Sequence, residues 1–148
     1  MDDDTWQDIE FGLHHHDHLV RHAGARPLHP AEDAHFIGTV RNLLIRHTST
    51  IDWNRHFHDV HRIDLRARSQ SCDDLFVAAL ERLDVDDDEL IWAGWHDQDP
   101  AIEICKAKLL EHRVPALFVG RGLVMMNARA DWLVEYKFGE FICAGALR

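Results

Sequence analysis

Apolar residues recur along this chain with two different periods, and the alternation between them sets the first expectation of the fold. Residues 5 to 23 carry Trp6, Ile9, Leu13 and Val20 at spacings that share one helical side, and Gly24 marks the end of that helix. The stretch RPLHPAED (26–33) reads as a proline-punctuated connection, so residues 1–33 form a helical extension and 34–148 the main domain. AHFIGTV (34–40) is a short apolar run that predicts a strand. Residues 42–60 predict helix in two pieces, broken at Thr48, Ser49 and Thr50. RIDLRA (62–67) fits either a strand or a helix end.

Further along, SCDDLFVAALERL (71–83) is amphipathic, with Ser71 as a cap and acids in its first turn. LIWAGW (90–95) and PALFVG (115–120) are continuous apolar runs of strand length. Between them DPAIEICKAKLLEHR (99–113) predicts a helix opened by Asp99 and Pro100. The tail from Gly122 suggests one more strand and a helix. Strands without polar alternation suit a parallel sheet buried on both faces. The expected class is therefore α/β: a Rossmann-like parallel sheet flanked by helices, with ligands at the carboxyl ends of its strands.

Charge narrows the partners. The chain has 148 residues, 46% of them hydrophobic, and a formal net charge of −10. That balance argues against binding duplex nucleic acid, which requires a basic surface. No apolar run reaches membrane-spanning length, and the acidic opening MDDDTWQDIE lacks the layout of a signal peptide. Three widely spaced cysteines, Cys72, Cys105 and Cys143, suggest reduced thiols in a cytoplasmic protein.

Thirteen histidines qualify the acidity, because they gain charge as pH falls toward ~5.5. GLHHHDHLVRH (12–22) places His14, His18 and His22 four apart along one helical face. Two imidazoles in such a ladder bind a divalent ion weakly. A catalytic zinc site usually takes three protein ligands, and no H-E-x-x-H run is present. We expect a solvated face, and the same for His56, His58 and His61. No metal and no cofactor is expected.

The chemistry-bearing stretch is WHDQDPAIEICKAK (95–108). On the helical expectation, Glu103 falls in the first turn of a helix, where exposed N–H groups favour a carboxylate, and Asp97 lies in the preceding loop. Two such carboxyls at about 5 Å would suit retaining glycoside chemistry. This stretch resembles the motif of the nucleoside 2-deoxyribosyltransferases and the related nucleotide N-hydrolases, a run like D-x-x-x-x-x-E-[IL]-G-x-A. Asp97, Glu103, Ile104 and Ala107 fall on it, and Cys105 replaces its glycine.

HFIGTVRN (35–42) is similar to that family's first strand and phosphate-side loop, through Phe36, Gly38, Thr39 and Arg41. GRGLVMMNAR (120–129) is similar to a late segment that in relatives reaches a neighbouring subunit, with Val124 in place of a hydroxyl residue. The resemblance implies N-glycosidic cleavage or transfer on a small-molecule nucleoside or nucleotide in a homo-oligomer. Glu103 would be the nucleophile and Asp97 the acid or orienting group. Gly38, Thr39 and Arg41 would contact phosphate or sugar, Asn127 would bond a sugar or base, and either Trp92 or Trp95, of which strand alternation lets only one face the pocket, would stack on a base.

Other readings stand beside it. RNLLIRH (41–47) resembles the Arg…His motif of HEPN ribonucleases, whose fold is a helical bundle. VEYK (134–137) resembles the E-x-K of PD-(D/E)xK nucleases, though a charged alternation on a strand explains it. A TIR-like NAD hydrolase also places a glutamate early in a helix. The non-enzymatic alternative is an acidic binding or immunity-type protein that neutralises a basic partner through its carboxylates.

Overall fold

The computed structural model describes residues 15–65, 72–95, 100–111, 122–137 and 140–148. Helix α1 (His15–His22) ends where Gly24 adopts a φ of 70°, and the Ala23 and Ala25 amides return to the Leu19 carbonyl. Then come strand β1 (Arg26–Pro27), helix α2 (Pro30–Asn42), the short helix α3 (Trp53–His56) and strand β2 (Phe57–Asp64). Helix α4 (Cys72–Arg82) and strand β3 (Leu90–Trp95) follow. The remainder is strand β4 (Ile102–Cys105), helix α5 (Lys106–Glu111) and strands β5 (Leu123–Met126), β6 (Trp132–Lys137) and β7 (Phe141–Leu147).

The strands form one seven-stranded sheet in the order β1-β4-β3-β5-β6-β7-β2, and every neighbouring pair is antiparallel. This overturns the expected Rossmann-like parallel sheet. Two elements account for the error. The run 34–40 is helix, because HPAED starts one: Pro30 stands at the first helical position and Glu32 reaches back to the His29 amide at 2.9 Å. The expected helix 99–113 is instead a strand followed by a short helix. In IEIC the β-branched Ile102 and Ile104 are buried on one side while Glu103 and Cys105 point to the other. With β4 a strand, only residues 96–101 separate it from β3. That is far too short for a parallel crossover, which takes a dozen or more residues.

Both faces of the sheet are covered. On one, Leu19 of α1 and Leu75, Phe76, Ala79 and Leu80 of α4 pack over Ile91, Ile102, Met125 and Val134. On the other, Phe36 of α2 with Leu43, Ile51 and Trp53 packs over Trp92, Val124, Met126, Leu133 and Cys143. The tail adds three strands and no helix among the described residues. Residues 42–60 hold one four-residue helix, and Thr48 to Thr50 lie in a turn closed by Ile45 N–H on the Thr50 carbonyl. The strand alternative for 62–67 holds as far as Asp64. The expected strand 115–120 lies outside the described residues. No described helix is long and apolar enough to cross a membrane.

Candidate functional site

The covered face places Glu103 directly opposite Trp92 across the β3–β4 pair, and opposite Arg26 across β1–β4. Residues facing one another across an antiparallel pair share a side of the sheet, so these three side chains converge. The Trp92 indole Nε1–H donates to Glu103 Oε2 at 2.9 Å, and Arg26 Nη2 lies 3.1 Å from Glu103 Oε1. Arg26 also grips Glu32 of α2 with two bonds, 2.8 Å to Oε1 and 3.1 Å to Oε2. Asp33, next along α2, accepts the Ala101 amide at 3.0 Å. His35 meets the Trp92 ring edge-on at 6.2 Å.

The result is a half-exposed guanidinium between two carboxylates, with an indole closing the inner end. Hydrogen bonding to Arg26 and to the His29 amide holds the Glu32 carboxyl well below the usual range, at about 2. The same contacts raise the Arg26 guanidinium further above its ordinary value. A depressed carboxyl stabilises the fold above its unfolded pKa, and that contribution is lost as pH falls from about 4.5 to about 2. Urea melts of wild type and Glu32→Gln will therefore differ at pH 6 and converge through this window. The difference will be modest, because both side chains remain partly in water.

The other expected site residues are dispersed. Gly38 and Thr39 lie inside helix α2 and Arg41 in its last turn, not in a phosphate loop, and the Thr39 hydroxyl donates to the His35 carbonyl of its own helix at 2.8 Å. Arg41 is exposed. Glu103 is on a strand, so the helix-terminus argument for its carboxylate does not apply. Asp97 and the capping Asp99 lie outside the described residues, as does the side chain of Trp95. Asn127 is buried and caps a turn: its Oδ1 accepts the Asp131 amide at 2.9 Å, while Nδ2 donates to Asp131 at 3.0 Å and to Glu89 at 3.3 Å. Among the described residues no group of three histidine, cysteine or acidic side chains is placed to hold a metal ion.

Asn127 leads to a second feature. The loop DVDDDE (84–89) and the turn 127–131 meet at one end of the sheet. Together they set Asp84, Asp86, Asp87, Asp88, Glu89 and Asp131 there, with Arg129 3.1 Å from Asp131 and Lys106 3.4 Å from Asp87. The loop is pinned by its backbone. Lys106 N–H donates to the Glu89 carbonyl at 3.0 Å, Ala107 N–H to that of Asp87 at 2.9 Å, and buried Lys106 Nζ to that of Val85 at 2.7 Å. Asp84, at a φ of 60°, turns the chain out of α4. Neither this acidic end nor Arg26 and Glu32 belongs to the expected site. Five acids within six residues, and the capping pattern of HPAED, are the signals that mark them.

No family model, curated protein or solved structure matches this chain.

Proposed function

We propose that this protein is a non-catalytic acidic binding protein that engages a basic protein surface through the sheet end built by residues 84–89 and 127–131. The observation that carries this reading is the backbone-pinned loop, whose five carboxylates stand with Asp131 of the neighbouring turn against two cations. Asp86, Asp87 and Asp88 are exposed, so their charges face solvent without rearrangement. Preset charges of one sign speed encounter with a partner of the other sign and select against like-charged competitors. The net charge of −10 acts in the same direction. The free thiols of Cys105 and Cys143 fit a cytoplasmic setting.

Calorimetric titration with polylysine tests the proposal. Asp86→Asn/Asp87→Asn/Asp88→Asn will weaken binding by about tenfold or more, and added salt will weaken the wild type. Glu103→Gln, and a control carrying Asp59→Asn, Asp64→Asn and Glu111→Gln, will stay within about twofold of wild type if this end is the contact. A control triple that loses as much as the loop triple would sink the proposal.

One observation favours the second reading, N-glycosidic cleavage on a nucleoside or nucleotide: the Glu103 side chain keeps 20% of its surface in solvent while Arg26 and Trp92 fix its carboxylate. That reading requires release of free base from nucleosides, nucleoside 5'-monophosphates or NAD by wild type, abolished in Glu103→Gln. Such a result would replace the binding reading, and the homo-oligomer expected with it would then be sought by size-exclusion chromatography.

A further inference from the structure

Helix α2 is attached to the sheet in a way that α4 is not. Over thirteen residues it buries one side chain, Phe36, with Val40 half-buried, and it leaves Ile37 40% exposed. Helix α4 buries Leu75, Phe76, Ala79 and Leu80. The Phe36 ring fills a notch that exists because residue 94 is glycine: a Cβ there would lie 2.7 Å from the ring. The remaining attachments are Glu32 to Arg26 and Asp33 to the Ala101 amide, both polar, partly exposed and in the first turn, and an edge-on contact of the exposed His35 with the Trp92 ring. Water replaces such bonds at little cost, whereas buried apolar contacts have no substitute in water.

The segment is bounded on both sides by fixed points. Leu28 is buried and its N–H donates to the Ala101 carbonyl at 2.8 Å, and Leu43 is buried at the far end. Gly38 sits at the middle of the helix, and a Cβ added there meets nothing within 4 Å. Its glycine thus answers to no packing demand and only lowers the helix's own stability. Detached from the sheet, thirteen residues with a central glycine do not hold a helix in water.

We propose that α2 is a gate: residues 29–42 detach and melt as a unit between Leu28 and Leu43 while the rest of the sheet stays folded, uncovering Trp92 and the Glu103 carboxylate. Regions with few buried apolar contacts open locally, well below the free energy of global unfolding. This gate is independent of the acidic sheet end.

Hydrogen exchange followed by mass spectrometry on the full chain at neutral pH tests it. Amides of residues 34–42 will exchange about tenfold or more faster than those of 76–82. Phe36→Ala will speed the first set by a further hundredfold or so. Gly38→Ala will slow the first set by about fivefold, the equivalent of the glycine-to-alanine difference in helix propensity. Equal protection of the two helices overturns the gate. So does a Phe36→Ala variant that fails to fold, because the helix would then be part of the global unit.

Discussion

Trp53→Ala will destabilise the protein by about 3–5 kcal/mol, measured as a shift of the urea midpoint at unchanged slope. Trp53 is 9% exposed and stacks on Phe57 with ring centroids 4.3 Å apart. It closes the second core together with Ile51, Leu133 and Cys143. Its indole Nε1–H also donates to Glu135 Oε1 at 3.1 Å, joining residues 82 apart in the chain in a buried bond. Trp53→Phe separates the two effects. It keeps most of the apolar area and removes the donor, so about 1–3 kcal/mol should be lost. Burial, and then the nearby Glu135 charge, push the Cys143 thiol up to about 12, which marks this region as dry and its sulfur as unreactive. A loss below about 1 kcal/mol for Trp53→Ala would mean that residues 43–57 are a loose strap rather than a packed cover.

How much of this was legible depended on whether each segment's pattern had one cause. Residues 72–82 and 90–95 read correctly, since an apolar stripe at helical spacing and an unbroken apolar strand each have a single structural explanation. Strand β3 was nonetheless given the wrong partners. Continuous apolar strands suggested a parallel sheet, but here an antiparallel sheet is clad on both faces, by α1 and α4 on one and by α2 with residues 43–57 on the other. Cladding both faces removes the polar alternation by which antiparallel strands are usually known.

The helix expected around Glu103 is a strand for a related reason. Asp99 and Pro100 look like a helix start, yet the period-two order of Ile102, Glu103, Ile104 and Cys105 decides in favour of strand once Ile102 and Ile104 are seen buried against α4's side of the sheet. Glu103 itself carries a carboxylate held by two partners. Its partners were invisible, because Arg26 and Trp92 reach it only through strand pairing, and register across a sheet is not written in any local window.

Leu80→Ala will cost about 2–5 kcal/mol, and its effect will extend beyond stability. Leu80 is fully buried, and with Leu75, Phe76 and Ala79 it forms the stripe that docks α4 on Ile63, Val134 and Ile142. The chain leaves this helix through bonds from Leu83 N–H to the Ala79 carbonyl and from Val85 N–H to that of Leu80, and enters the acidic loop directly. Helix α4 is therefore one support of residues 84–89, and the backbone of α5 is the other. If the acidic end binds a basic partner because its carboxylates are preset, loosening α4 must weaken that binding even though Leu80 touches no solvent. Leu80→Ala should accordingly lower the polylysine affinity at temperatures where circular dichroism still reports a folded chain, and the loss should grow on warming. Phe36→Ala removes a comparable apolar contact from the opposite face, so it should leave that affinity unchanged. Equal losses from the two substitutions would show that the acidic end responds to global stability alone, with no separate dependence on the helix that leads into it.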